Sequence, residues 1–355
     1  MRIQTALTRM VGIEHPVVQT GMGWVAGARL VAATANAGGL GILAAATMTI
    51  DELATAITKV KAATDRPFGV NIRADAADAG DRVELMIREG VKVASFALAP
   101  NQELIARLKE AGSVVIPSIG AAKHARKVAA WGADAVIVQG GEGGGHTGPV
   151  ATTLLLPSVL DVLDGTDVAV VAAGGFFDGR GLAAALSYGA AGVAMGTRFL
   201  LTAESTVPDT VKQRYLEAGL DGTVVSTRVD GMPHRVLRTG LVEKLESGSP
   251  LRGFAAAVLN AAKFKKMSQM TWTSMIRDGL AMRHGKDLTW SQVIMAANTP
   301  MLLKAGLVDG NNSAGVLASG QVTGIIDDLP SCQTLIDSIV SEAIKHLQAA
   351  TALID

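Results

Sequence analysis

The chain has 355 residues, 49% hydrophobic and 18% charged, with 32 basic and 32 acidic side chains. That balance excludes a disordered segment, and zero net charge gives no reason to expect nucleic acid or a membrane surface as partner. Cys332 is the only cysteine, which excludes an intrachain disulfide and a multi-cysteine metal site; no metal is expected, and a reducing cytoplasm is the expected compartment.

The opening stretch, MRIQTALTRMVGIEHP, lacks an apolar core of signal-peptide length before Glu14. Short apolar runs then recur at Val17 to Gln19, Leu40 to Leu43, Phe68 to Asn71, Val93 to Phe96, Val114 to Ser118, Ala135 to Gln139, Val168 to Ala172 and Gly192 to Met195. Their ends lie 21 to 33 residues apart, the size of a βα unit. Helical patterns fill the gaps: Ile50 to Ala63, opened by a Thr49-x-x-Glu52 capping box, then Asp81 to Glu89, Asn101 to Ala111, Ala121 to Trp131 and Gly181 to Tyr188. Continuous rather than alternating apolar runs indicate parallel strands covered on both faces. Eight such units predict an α/β fold, a (β/α)8 TIM barrel over residues 1–218. An open doubly wound sheet is the runner-up. Its dinucleotide loop is missing after the first strand, where Gly21-Met22-Gly23 is followed by Ala26 instead of a third glycine.

From Asp221 the texture changes. Val224 to Val229 reads as a strand, followed by Arg235 to Arg238, helical stretches at Phe254 to Ala262 and Ser291 to Ala305, and a Met- and Trp-rich basic stretch to Lys286. A mainly helical C-terminal cap is predicted over residues 219–330. Ser331 then caps a final amphipathic helix in residues 331–355 that packs back on the barrel.

In a barrel enzyme the reacting groups sit where strands end. The sixth run ends in Gly140-Gly-Glu-Gly-Gly-Gly-His-Thr-Gly148, six glycines in nine positions around His146. So permissive a segment suits close backbone approach to a ligand, and an imidazole there is a candidate acid or base; the bland reading is a flexible loop with an incidental histidine. The loops after the last two strands carry Gly174-Gly175 and Gly196-Thr197, whose bare backbone, following helix and hydroxyl make a phosphate cradle. Gln19, Asn71, Ser118 and Gln139 end four earlier strands with groups able to hydrogen-bond a flavin's pyrimidine edge, and Met22 and Gly23 offer it a soft, close surface.

The motifs VVQTGMG, PFGVN, VQGGEGGGHTG, AAGGFFDGR, GVAMGTRFL, GMPHRVLR and ASGQVTG, in that order, resemble those of the FMN-binding nitronate monooxygenases. The resemblance covers most of the barrel and part of the cap. It implies FMN as cofactor, with Met22, Gly23, Asn71, Gln139, Gly174, Gly175, Gly196 and Thr197 along it and His146 in the catalytic-base position; Gln19, Ser118, Gly140, Gly144, Gly145 and Met195 complete the candidate cofactor set. Two departures stand out: Gly143 replaces the family's usual alanine, and Phe176-Phe177 stands where smaller residues are common.

The sequence also resembles actinobacterial members of that family associated with degrading the last two steroid rings, which implies oxidation of a ring hydroxyl on a bicyclic CoA thioester. A net charge of +6 over residues 252–286 agrees with a polyanionic substrate, although a solvated helix face reads equally well. Arg235, Lys263, Lys265, Lys266, Arg277 and Arg283 are the CoA candidates. Oxidation of alkyl nitronates with oxygen and reduction of an enoyl thioester are the alternatives. A thiolate-dependent nucleotide dehydrogenase is disfavoured because no barrel loop carries a cysteine, and a pure binding protein is the non-enzymatic reading. The expected partners are a small-molecule substrate and a second copy of the chain.

Overall fold

The computed structural model describes residues 2–97, 100–247, 290–311 and 314–354. Eight parallel strands close into a barrel: β1 (Val17–Gln19), β2 (Leu40–Ala44), β3 (Gly69–Ile72), β4 (Val93–Phe96), β5 (Val114–Ile119), β6 (Ala135–Gln139), β8 (Ala169–Ala173) and β9 (Gly192–Met195), with β9 pairing back onto β1 through Val18 and Ala194. The predicted TIM barrel is thus observed, each strand within two residues of its predicted bounds.

The strands divide their side chains between two dry layers. Val18, Ile42, Ile116, Ile137 and Val171 fill the interior, while Val17, Val136, Val138, Val170 and Val193 face outward to the helices. Burying both faces is what makes the runs continuously apolar, and each large side chain removed from water contributes about 1.5–3 kcal/mol. The helical ring includes α2 (Ala28–Asn36), α3 (Ile50–Ala63), α4 (Ala79–Arg88), α5 (Gln102–Glu110), α6 (Ala122–Ala130), α7 (Thr152–Leu163) and α8 (Gly179–Tyr188). Thr49 and Glu52 form the predicted capping box at the start of α3.

A short helix with no sequence prediction, α1 (Ala6–Val11), sends Leu7 and Val11 into the interior cluster and so plugs the N-terminal end of the barrel. The C-terminal end is left to carry chemistry. After β9 come a single turn α9 (Thr197–Leu200), α10 (Asp209–Leu216), and the antiparallel pair β10 (Thr223–Ser226) and β11 (His234–Leu237). Then follow α11 (Gly240–Ser247) and, beyond residues outside the description, α12 (Trp290–Leu307). The predicted helix at Phe254 to Ala262 and the basic stretch to Lys286 lie outside the described residues.

The last helix, α13 (Cys332–Thr351), is capped by Ser331, whose side chain accepts the Thr334 N–H. It packs against α8 and α2, the helices flanking the β9–β1 seam. Gly179 and Gly39 make this fit: a Cβ on Gly179 would strike the backbone of α13, and one on Gly39 would come within 3.0 Å of Ile336. Among the described residues, no helix is long and apolar enough to cross a membrane.

Candidate active site

The glycine-rich segment after β6 is less a loose loop than a braced one. Gly145–His146 forms a two-residue strand, β7, antiparallel to β11, with His146 directly opposite His234. Thr147 N–H donates to the Pro233 carbonyl at 3.1 Å and extends the pairing. Gln139 Nε2 donates to the His146 carbonyl at 2.8 Å, while the Arg235 guanidinium takes the Gly141 carbonyl at 2.9 Å and Thr223 Oγ1 at 2.9 Å. Glu142 is held by α7. Its carboxylate accepts the Thr152 N–H at 3.0 Å, capping α7, whose own N-cap residue is Ala151.

Most glycines of this segment are there because protein fills the space a side chain would need. A Cβ on Gly140 would collide with Thr152, one on Gly143 would lie 2.6 Å from Gln139 Nε2, and one on Gly144 would lie 2.5 Å from the Gly320 nitrogen. The ASGQVTG motif is the other side of that contact: Gln321 N–H donates to the Glu142 carbonyl at 2.9 Å, and Gly320 N–H to the Thr197 hydroxyl at 2.8 Å. Thr197, read from sequence as a phosphate donor, is thus 8% exposed and already accepts a backbone hydrogen bond.

The catalytic candidate sits at the edge of this platform. His146 is 54% exposed, and its Nε2 lies 2.6 Å from Asp230 Oδ2. Asp230, 4% exposed, receives His234 Nδ1 on the same oxygen at 3.1 Å and the Met232 N–H on Oδ1 at 3.1 Å. Burial works against the Asp230 charge, but hydrogen bonds from His146 and then His234 outweigh it and hold the carboxyl well below the usual carboxylate range. The local sequence explains the geometry. In Asp230-Gly-Met-Pro-His234, Gly231 turns the chain at φ +82°, a conformation costly for other residues, and Pro233 leads straight into β11. The ligand-capable atoms of the three side chains lie within 4.8 Å of one another. A 2.6 Å separation is nevertheless a direct hydrogen bond; two atoms bound tetrahedrally to one zinc at about 2.0 Å stand roughly 3.3 Å apart.

The remaining sequence candidates divide into two sets. Ser118, Gln139, Met22, Gly23, Gly174, Gly175 and Gly196 are at least partly exposed around the C-terminal mouth. Gly174 and Gly175 take left-handed φ of +89° and +87°. A Cβ on Gly175 would touch Glu142 at 3.8 Å, and one on Gly196 would touch Thr20 at 3.4 Å and Met22 at 3.5 Å, ordinary contacts with no overlap, so a methyl group has room there that it lacks at Gly140, Gly143 and Gly144. Gln19 and Met195, by contrast, are buried. The Gln19 amide donates to the Thr20 and Ile42 carbonyls, so it supports the strand end; Met195 packs outward, its carbonyl accepting the Thr20 N–H at 3.2 Å. Asn71, 8% exposed, donates to Ser95 at 3.1 Å. Lys263, Lys265, Lys266, Arg277 and Arg283 lie outside the described residues.

Sequence reasoning missed Ser95, Asp230 and Trp24. Trp24 is the one described residue other than glycine with positive φ, +65°; its indole donates to the Pro300 carbonyl at 2.9 Å, and the Lys304 ammonium stands 5.8 Å from its ring centre. That pair of contacts ties the loop after β1 to α12.

A plugged barrel with bare-glycine turns and an exposed, anchored imidazole at its open end is the arrangement of a TIM-barrel enzyme, and its relatives make it a flavin-dependent oxidoreductase. The chain belongs to the nitronate monooxygenase family, whose model matches residues 4–342. It is 84% identical over 355 residues, the full length of both chains, to the Mycobacterium tuberculosis protein named (3aS,4S,5R,7aS)-5-hydroxy-7a-methyl-1-oxo-octahydro-1H-indene-4-carboxyl-CoA dehydrogenase. It is 72% identical to the Rhodococcus jostii protein of the same name, over 99% of each chain. Among solved structures, FabK from Thermotoga maritima superposes with a TM-score of 0.82 at 33% identity, covering 99% of this chain and all of that one.

Proposed function

We propose that the protein dehydrogenates the ring hydroxyl of a bicyclic, steroid-derived CoA thioester, with FMN as the flavin and His146 as the base. The observation that carries this reading is the 84% identity, without a gap in coverage, to a relative named for that activity. The geometry supports it. The mouth offers an exposed imidazole on a strand pinned from both sides, and turns at Gly175 and Gly196 where an added side-chain carbon would overlap nothing. Bound FMN supplies a two-electron acceptor. His146 takes the hydroxyl proton, Gln139 and the β11 pairing hold its backbone, and the Glu142 and Arg235 contacts keep the platform from yielding under the substrate.

Residues 219–330 act as the substrate-side cap in this reading, and Arg235, Lys263, Lys265, Lys266, Arg277 and Arg283 are its CoA-facing cations. Arg235 gives Nε, Nη1 and Nη2 donors to the protein itself, so its part in CoA binding is to fix the loop first. A homodimer in the cytoplasm completes the proposal. The test is anaerobic mixing of the purified holoprotein with the bicyclic hydroxy-CoA thioester, which bleaches the flavin within one turnover, while an alkyl nitronate leaves it oxidised. The family model's name favours a second reading, nitronate oxidation, and rapid oxygen uptake with propionate 3-nitronate but no binding of CoA esters would establish that instead.

A further inference from the structure

Resting on the reading of His146 as the base, we infer that Asp230 is its positioning residue: it holds the imidazole with a proton on Nε2 and leaves Nδ1 as the atom that accepts the substrate's proton.

The argument is one of donors and acceptors. An ionised carboxylate only accepts hydrogen bonds. Oδ2 of Asp230 meets two ring nitrogens, His146 Nε2 at 2.6 Å and His234 Nδ1 at 3.1 Å, so both of those nitrogens carry hydrogen. Oδ1 is occupied by the Met232 N–H, which fixes the plane of the carboxylate inside the Asp230–Met232 turn. A neutral imidazole has one lone pair left after donating once. On His234 that lone pair is Nε2, sealed in the interior without a partner among the described residues. His234 therefore cannot reach a substrate at the mouth; its ring, 4.8 Å from that of His146, wedges the carboxylate in place. On His146 the remaining lone pair is Nδ1, on a side chain 54% exposed.

Cross-strand register brings this about. His146 and His234 are opposite partners of β7 and β11, and Asp230 stands four residues before His234 across a tight turn. In the proton step the substrate O–H bond breaks and an Nδ1–H bond forms; bound flavin would supply the two-electron acceptor for the carbon's hydrogen and its electron pair. The imidazolium so produced rests against the buried Asp230 charge, which stabilises it as it forms.

The experiment compares holoproteins of wild type, Asp230→Asn, Asp230→Glu and His146→Ala, with nitrogen NMR on 15N-histidine label to locate the ring protons. In the wild type the His146 proton is found on Nε2; a proton on Nδ1 overturns the inference whatever the variants do. In D230N the side-chain amide donates where the carboxylate accepted, so His146 switches tautomer. kcat then falls by about 100-fold, the scale of losing general-base action, with KM and the flavin absorption spectrum unchanged. D230E recovers part of that loss. A D230N variant that keeps kcat, or that only raises KM or sheds flavin, assigns Asp230 a purely structural role and overturns the inference. H146A separates the two layers: turnover retained in H146A defeats the base reading itself, whereas turnover lost in H146A but kept in D230N defeats only the role of Asp230.

Discussion

Two groups of glycines at the barrel mouth look alike in sequence and do opposite things. Gly140, Gly143 and Gly144 are glycines because the protein occupies the position a Cβ would take, with Thr152, Gln139 and Gly320 pressed against them. Gly175 and Gly196 are glycines whose added Cβ would meet the protein only at ordinary contact distance, Glu142 at 3.8 Å and Thr20 at 3.4 Å. The first group lets backbone pack on backbone and builds the platform under His146; the second leaves turns free of overlapping protein, where the proposed flavin phosphate would sit. A glycine motif therefore reports a ligand only where the structure leaves the missing side chain's place empty.

The sharpest way to break that contrast is Gly196→Val. A Cβ there already touches Thr20 and Met22, and the flexible Met22 side chain gives way to the added methyls, so the apo chain stays folded, while bound flavin after purification drops to near zero; retained flavin would remove this turn from the cofactor's path. Gly144→Ala is expected to do the reverse. It forces the loop off Ser319 and Gly320 and lowers unfolding free energy by about 1–3 kcal/mol in denaturant titration, and turnover falls only as far as His146 is displaced. Smallest is the effect at Cys332, which belongs to neither group and lies buried in the first turn of α13. Burial, then the Glu204 charge, pushes its thiol up to about 12 from an ordinary 9.0. The unfolded chain loses that proton first, so its contribution to stability is whole below pH 9 and declines as pH rises towards 12. Melting temperatures measured across that range in C332S, set beside wild type, check the sign, and native protein at pH 8 should resist iodoacetamide until unfolded.

The barrel was legible because its signal is local and repeated. Runs such as Ala135–Gln139 are apolar throughout since both of their faces are buried, and no distant residue has to be known to see it. The short helix at Ala6–Val11 escaped because a turn and a half carries too little periodicity to read. The active-site platform was half legible. His146 stands out among its glycines, yet β7 is a strand only because residues 234 and 235 arrive opposite it, and no property of Gly145 or His146 announces that pairing. Asp230 is the plainest case: an Asp-Gly dipeptide reads as a surface turn, and only the register of β11 shows its carboxylate to be buried under two imidazoles. Arg235 is half legible too: its charge is plain in the sequence, but that its guanidinium braces Gly141 and Thr223 is not.

The helix that covers the junction of the last and first barrel strands is also the last one in the chain, 137 positions beyond Met195. On the ribosome, at about 5–20 residues per second, that interval is on the order of ten seconds. During it the cylinder has all its staves but one flank bare, with Thr34 and Gly39 still facing water instead of Cys332 and Ile336. Everything between must be synthesised before the wall is sealed, so the enzyme acquires its mouth before it acquires its final stability.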